Sequence, residues 1–438
     1  MRRIIGLLLI AALSVGNSVA PVPLPPAQQT AATETAPSPH RFGDGGTSAF
    51  YSSNPLPAVP PGTMVRTEKM DGLHLPSSAA SGTRLLYMST SGVGQPAPVL
   101  VSGQLLLPKT AMPKGGWPII AWEHGTTGIA DICAPSWRGY SGRDRAYLNR
   151  WLDEGFAIVA TDYQGLGTPG PHPYLLYRAE GYSALDAVRA ALQQFAGSLR
   201  NQIILVGQSQ GSGAALGSAW LAPHYAPTLD ILGVVATGLV VDFAAPAHAA
   251  HPPIPVHYDD PTNMDAAYAI LRVEGTDQSL HDDRDVRDAE TPAGAALSAV
   301  ARTACLSDLF KAAGAQKISS RDLFRPDLST FEAGESAASI IPDGALTIPV
   351  FAGTGLADTE ASLPGQYNAV AAMCDAGARV TWHTYPGLTH NGTVNASLTD
   401  SLPFVRGLLS GQSTASTCAA IPIPGLPQPP TPGIPFND

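Results

Sequence analysis

One serine of the chain lies in a pattern that could make it a nucleophile. Ser209 is the centre of Gly207-Gln-Ser-Gln-Gly211, between an apolar strand predicted over 202–206 and a helix predicted over 210–221. A strand, a tight turn with small flanking residues and a helix together project the serine hydroxyl above the edge of a sheet. The N-terminus of that helix favours negative charge at the same point. We therefore interpret Ser209 as a nucleophile rather than as a plain helix cap.

A serine hydroxyl needs a base to take its proton, and the base needs an acid to orient it. Asp358 follows a strand predicted over 348–352, and His390 follows the next predicted strand, over 379–385. The chain order Ser, Asp, His, with the last two on loops after successive strands, is typical of hydrolases built on a parallel sheet. Three weaker candidates stay open: the acids Asp242 and Glu360, and His383, which lies within the predicted strand.

Two backbone N–H groups must face the oxygen of a tetrahedral intermediate. One is predicted to come from Gln210, directly after the nucleophile. The other is predicted in the loop after an earlier strand, Trp122-Glu-His-Gly-Thr-Thr-Gly128, and the donor there is the N–H of Gly125 or Thr126. We expect a structural role for His124 of the same loop.

The elements that must position these residues alternate between strands and helices. Between the third and fourth predicted strands, apolar residues recur at spacings of 3, 4 and 3, which indicates a helix through Leu185, Val188, Leu192 and Phe195. Apolar strands separated by helices predict an α/β fold with a mostly parallel central sheet. The predicted strands are Leu100–Leu107, Pro118–Trp122, Gly155–Thr161, Gln202–Val206, Ile231–Ala236, Ile348–Ala352 and Arg379–Tyr385.

The alternation stops over residues 243–345. This stretch is rich in Ala, Asp and Pro and contains helical patterns such as the one over 295–313. We interpret it as an α-helical cap inserted into a hydrolase core, whose two parts are residues 61–242 and 346–418.

Both ends of the chain differ from the core in composition. Residues 1–20 have a basic start and an apolar run, which is typical of a secretory signal peptide and too short for a stable membrane span. Residues 21–60, rich in Pro, Ala, Ser and Thr, predict a tether or disordered lead-in, and residues 419–438 predict a Pro-rich extended tail. The four cysteines fit an exported chain with two disulfides, for which three pairings are possible: Cys133, Cys305, Cys374 and Cys418.

The composition excludes some classes of protein. Among 438 residues, Lys and Arg total 25 against 35 Asp and Glu, a net charge of −10. That balance argues against a nucleic-acid binder, which needs a basic face. Charged residues make up only 14 % of the chain, which fits a mostly buried sheet and an apolar substrate groove. The acidic run over 281–288 lacks the loop glycine of a calcium site, so we expect a solvated helix face there and no metal site.

Taken in order, the motifs resemble those of the secretory lipase family over roughly residues 80–410. They are His124-Gly-Thr-Thr-Gly, Cys133-Ala-Pro-Ser, Thr161-Asp-Tyr-Gln-Gly-Leu-Gly, His172-Pro-Tyr, the turn at Ser209, Asp358 and His390. The resemblance implies an α/β-hydrolase fold, a triad of Ser209, Asp358 and His390, and a helical cap before the strand that carries the acid. It also implies disulfides that join Cys133 to Cys305 and Cys374 to Cys418. The yeast type of the family has a C-terminal flap over its site, and here the Pro-rich tail leaves little chain for one.

These inferences predict a secreted serine ester hydrolase, either a triacylglycerol lipase or a carboxylesterase, that acts on a small-molecule or lipid ester without a cofactor. Two alternatives stay open, a serine peptidase on the same fold and a non-catalytic binding protein that has kept the fold. The prolyl-peptidase type needs a large N-terminal gating domain, and about 80 residues precede the first strand. A binding protein usually loses a triad member, and this chain keeps all three candidates. No oligomeric state follows from the sequence.

Overall fold

The predicted strands belong to one nine-stranded sheet in the computed structural model, which describes residue 43 and residues 45–244, 249–256, 263–280, 289–325 and 338–438. The strands are β1 Met64–Lys69, β2 Ala79–Thr90, β3 Pro98–Pro108, β4 Trp117–Glu123, β5 Ala157–Thr161, β6 Leu199–Gln208, β7 Ile231–Thr237, β8 Val350–Gly355 and β9 Val380–Tyr385. Their order in the sheet is β1-β2-β3-β5-β4-β6-β7-β8-β9. The pairs from β1 to β5 are antiparallel, and those from β5 to β9 are parallel. The carboxyl ends of β4, β6, β8 and β9 therefore lie along one edge, where the candidate residues follow them.

Helices cover both faces of this sheet. They are α1 Pro135–Arg138, α2 Gly142–Asp153, α3 Tyr177–Gln194, α4 Gln210–Tyr225, α5 Asn263–Leu280, α6 Pro292–Ala301, α7 Leu306–Gln316, α8 Leu363–Asp375, α9 His390–Ala396 and α10 Leu398–Leu409. One apolar core lies between the sheet and α3, α4 and α8, and a second lies between the sheet and α2, α9 and α10. Every residue of β5 is buried as a result. No helix of the described ranges is long and apolar enough to cross a membrane.

Among the described residues, the helices α5, α6 and α7 lie between β7 and β8, in the region predicted as the cap. They share their own apolar cluster, to which Ile129 and Tyr174 of the core contribute. The helical pattern predicted over 295–313 is divided here, because α6 ends at Ala301 and α7 begins after Cys305. Cys305 forms a disulfide with Cys133 of the core, one of the two pairings that the resemblance implies. The acidic run over 281–288 lies outside the described residues.

The two ends of the chain compare differently with the sequence predictions. The predicted signal peptide, 1–20, lies outside the described residues, but the lead-in prediction is wrong for residues 45–60. Phe50 and Tyr51 are buried against β2 and β3, because two aromatic rings bury enough apolar surface to fix this short Pro- and Ser-rich stretch. The tail, joined to α8 by the disulfide Cys374–Cys418, contains neither helix nor strand over 419–438.

Candidate active site

The turn that carries Ser209 is sharply strained. β6 ends at Gln208, α4 begins at Gln210, and Ser209 between them has φ 57° and ψ −124°, a region that L-residues seldom adopt. Its N–H donates to the carbonyl of Thr237 at 3.0 Å, which ties the turn to β7. A Cβ at Gly211 would lie 1.8 Å from the Glu123 carbonyl oxygen, so the helix can begin this close to β4 only with glycine there.

Asp358 and His390 form a buried hydrogen-bonded pair. His390 Nδ1 donates to Asp358 Oδ2 at 2.8 Å, and the two side chains are almost fully buried. Asp358 Oδ2 also accepts from Gln366 Nε2 at 2.9 Å, while Oδ1 accepts from the N–H groups of Glu360 and Ala361, both at 2.9 Å. Each carboxylate oxygen thus has two donors, which fixes the acid in one orientation toward the imidazole.

The second ring nitrogen of His390 faces the side chain before the candidate nucleophile. His390 Nε2 lies 2.9 Å from Gln208 Nε2, and no hydrogen bond joins it to Ser209 within the described part of the chain. Burial lowers the pKa of His390, but the charge and hydrogen bond of Asp358, together with the charge of Glu360, outweigh burial and the positive charge of Arg143. The net effect raises the pKa of His390.

The weaker candidates lie elsewhere. Asp242 lines a small cavity beside α4, and His383 stacks on Phe351 at 5.2 Å within β9. Glu360 reaches the site, but its Oε2 accepts from Tyr268 at 2.7 Å. His124 has both ring nitrogens directed at backbone carbonyls, those of Gly125 and Asp162, and burial lowers its pKa. None of these four side chains contacts the ring nitrogens of His390 in the described structure.

The three predicted oxyanion donors belong to the two loops that flank Ser209. The N–H groups of Gly125, Thr126 and Gln210 have no acceptor among the described residues, so they are available to an oxygen of a substrate. The Thr126 hydroxyl is hydrogen-bonded at 2.7 Å to Tyr174, a core residue that packs against the inserted helices.

Behind Gln210 lies a buried polar cluster that the sequence did not predict, although one of its members, His172, belongs to a motif named above. Gln210 Nε2 donates to Glu180 Oε1 at 2.8 Å and to His172 Nε2 at 3.0 Å. Burial raises the pKa of Glu180 to about 8 and lowers that of His172 to about 3, so both are neutral near pH 7. His172 donates from Nδ1 to the carbonyl of Gln164 at 2.9 Å. The motif His172-Pro-Tyr therefore supports the residue that supplies a candidate oxyanion donor.

Known proteins are similar to this chain in sequence and in fold. Residues 140–414 match the secretory lipase family. The chain belongs to the secretory lipase family. The matched range contains Ser209, Asp358 and His390, whereas Gly125 and Thr126 lie before it. A secreted triacylglycerol lipase of Malassezia globosa is 24 % identical over 76 % of this chain and 71 % of its own length. A probable inactive lipase of Mycobacterium tuberculosis is 29 % identical over 40 % of this chain, and the match spans only 41 % of that relative.

The solved structures similar to this chain are α/β hydrolases, which establishes that fold here. The closed state of Candida antarctica lipase A has a TM-score of 0.65 and 17 % identity, and the match covers 88 % of this chain and 92 % of that one. A rice cell wall degrading esterase from Xanthomonas oryzae has a TM-score of 0.58 and 18 % identity, with 81 % of this chain and all of that chain covered.

In this member of the secretory lipase family, Ser209 lines two cavities. The first, of about 380 Å³, lies under the inserted helices and does not include His390. Charged side chains of α5, of the segment after α7 and of the loop that carries Asp358 reach this cavity beside the apolar ones that the composition led us to expect. They are Asp265, Arg272, Arg321 and Glu360. Composition could not indicate this, since a low overall charge does not tell where the few charges lie.

The second cavity, of about 500 Å³, contains Ser209, His390 and part of the tail. Gln428, Pro430 and Asp438 line it, so the prediction that little of the tail is left to cover the site is wrong. Asn437 holds the tail here: its Oδ1 accepts from the N–H of Thr389 at 2.7 Å, directly before His390. Among the described residues, no group of three or more metal-binding side chains could hold a metal ion.

Proposed function

We propose that this chain is a carboxylic ester hydrolase in which Ser209 is the nucleophile, His390 the general base and acid, and Asp358 the orienting acid. The observation that supports this most strongly is the buried 2.8 Å hydrogen bond between His390 and Asp358, in a cavity that also contains Ser209 at its strained turn. A surface pair would not need four donors on its carboxylate.

The proposed reaction is acyl transfer through an acyl-enzyme. Ser209 Oγ attacks the ester carbonyl carbon as His390 Nε2 takes the hydroxyl proton, and Asp358 stabilises the imidazolium that forms. His390 then gives that proton to the leaving alcohol. Water repeats the sequence on the acyl-enzyme and releases the acid. The N–H groups of Gln210 and of Gly125 or Thr126 stabilise the oxyanion of each tetrahedral intermediate.

The position of His390 indicates which cavity receives the alcohol part of the ester and which receives the acyl part. The alcohol must leave within reach of His390, so the second cavity receives the alcohol and the first receives the acyl group. An acyl cavity of about 380 Å³ with four charged side chains favours short or polar acyl groups over the long chains of triacylglycerols. We therefore propose a carboxylesterase of soluble esters within the lipase family.

The same proposal includes export of the chain. Residues 1–20 have the pattern of a signal peptide, and the two disulfides need an oxidising compartment to form and persist. Membership of a secretory family supports an extracellular location.

The variant Ser209→Ala tests the function. We expect it to lose hydrolysis of chromogenic esters by at least about 10³-fold, with an unchanged circular dichroism spectrum, while Ser218→Ala on the same helix stays active. A panel of esters from acetate to palmitate should give the highest kcat/KM at short acyl chains, and a fluorophosphonate should label Ser209. Full activity of Ser209→Ala would reject the nucleophile. Cleavage of dipeptide amides but not of esters would favour a peptidase. A wild-type protein that neither reacts with the fluorophosphonate nor hydrolyses esters would favour a binding protein.

A further inference from the structure

Gln208, the residue before the candidate nucleophile, is almost fully buried and contacts the candidate base directly. Its side chain lies between α2, which carries Arg143, the start of α9 at His390, and the loop that contains Gly125. A Cβ at Gly125 would lie 2.3 Å from Gln208 Oε1, so the amide fits only because that loop has a glycine there. The general pattern Gly-x-Ser-x-Gly around such a serine leaves this position variable.

The orientation of the Gln208 amide follows from its partners. Arg143 Nη2 lies 2.9 Å from one end of the amide, and a guanidinium can only donate, so that end is Oε1. The NH₂ end therefore faces His390 Nε2 at 2.9 Å. Because an amide NH₂ can only donate, His390 Nε2 must accept and carries no proton, while Nδ1–H donates to Asp358.

Arg143 is itself fixed on both sides of this contact. Its Nε donates to Asp144 at 2.9 Å, and its Nη1 donates to Asn391 Oδ1, the residue after His390. The side chain of Arg143 is only 16 % exposed. One guanidinium thus holds the neighbours of both the candidate nucleophile and the candidate base.

We propose that Gln208, held by Arg143, is a positioning residue that keeps His390 Nε2 unprotonated in the resting enzyme. The inference rests on the proposed function, since it concerns the base of that reaction. The tautomer that Gln208 selects is the one that can take a proton from Ser209. When His390 becomes an imidazolium, Nε2–H faces the amide NH₂ as donor against donor, so Gln208 must move aside as the substrate reacts.

The effect of Gln208 on the pKa of His390 is then opposite to that of the carboxylates around the ring. The charged groups that face the ring are Asp358 and Glu360 on the acid loop, Arg143 on α2 and, in the same cavity, Asp438 of the tail. Asp358 and Glu360 raise the pKa of His390, whereas Arg143 lowers it. A donor to neutral Nε2 stabilises the unprotonated ring, so Gln208 extends activity toward lower pH.

The pH dependence of kcat/KM on a short chromogenic ester tests this in the full chain. Gln208→Met removes the donor at similar volume and should move the acid limb up by about 0.5 pH unit, the effect of one neutral hydrogen bond. Gln208→Glu replaces the donor by a carboxylate that accepts from both Arg143 and protonated His390, and should move the limb up by about 1 to 2 pH units. Gln104→Met, another buried glutamine on β3, is the matched control and should leave the limb in place.

Three outcomes decide the inference. The inference is supported if the acid limb moves to higher pH in Gln208→Met and further in Gln208→Glu. An NMR titration of His390 in the Ser209→Ala background supports it if the pKa of His390 rises in the same order. Variants that lose thermal stability but keep the wild-type acid limb overturn it, because Gln208 then only fills space. If the Gln208 variants do not fold, Arg143→Lys keeps the positive charge but loses the guanidinium that holds the amide, and it must move the acid limb to higher pH as well. A wild type that does not hydrolyse esters instead rejects the proposed function.

Discussion

At the residue scale, two buried carboxyl groups near the site differ in the number of hydrogen bonds that they accept. Asp358 accepts four hydrogen bonds, one of them from His390. Glu180 accepts two, from Gln210 Nε2 and from the N–H of Leu175, and burial raises its pKa to about 8. The first group holds the candidate base, and the second, neutral near pH 7, supports Gln210.

The raised pKa of Glu180 predicts how stability depends on pH. A carboxyl whose pKa is about 8 when folded and ordinary when unfolded stabilises the fold fully below pH 4.5, and that stability is lost as the pH rises to 8. Glu180→Gln keeps the neutral form at every pH. Its Tm should therefore rise relative to wild type between pH 4.5 and 8, by a difference on the order of a few kcal/mol in unfolding free energy. Glu68→Gln, an exposed control, should run parallel to wild type, and a parallel curve for Glu180→Gln would contradict the prediction.

At the element scale, periodic elements could be predicted and contacts between distant segments could not. The strands before Ser209, Asp358 and His390 can be predicted from the sequence, so the loops that follow them, and hence the candidate site, could be predicted as well. Phe50 and Asn437 carried no such signal, because each lies in a Pro-rich segment and acts through partners far along the chain. Gln208 and Arg143 were missed for the same reason: their contact depends on how α2 packs against β6 and α9.

The tail offers a prediction at this scale. Asn437 Nδ2 donates to the carbonyls of Gly387 and Thr431, both at 2.9 Å, in addition to the bond from Thr389. Asn437→Ala should lower the unfolding free energy by about 1–3 kcal/mol and lower kcat/KM about three- to tenfold, because the loop before His390 loses its support. Asn201→Ala removes two comparable hydrogen bonds far from the site and should change Tm alone. Equal effects of both variants on kcat/KM would show that the tail does not position the base.

At the scale of the whole molecule, the two disulfides join different parts of the chain. Cys133–Cys305 closes 172 residues and joins the core to the inserted helices, while Cys374–Cys418 closes 44 residues and joins α8 to the tail. Because the proposed acyl cavity lies between the core and the inserted helices, we expect the first disulfide to affect both stability and substrate binding. The resemblance implied this pairing, although the spacing of the cysteines alone allowed three.

The variant pairs Cys133→Ala/Cys305→Ala and Cys374→Ala/Cys418→Ala separate these effects. Loop closure predicts losses of roughly 5 and roughly 4 kcal/mol in unfolding free energy, so chemical denaturation should show two variants of similar stability. Their catalysis should differ: the first pair should raise KM for short esters and expose α6 and α7 to early proteolysis, because these helices lose their covalent link to the loop beside the oxyanion donors. The second pair, of similar stability, releases the tail instead of the inserted helices and should lower kcat through the loop before His390 more than it changes KM. If KM rises equally in both, the inserted helices are held on the acyl cavity by packing alone.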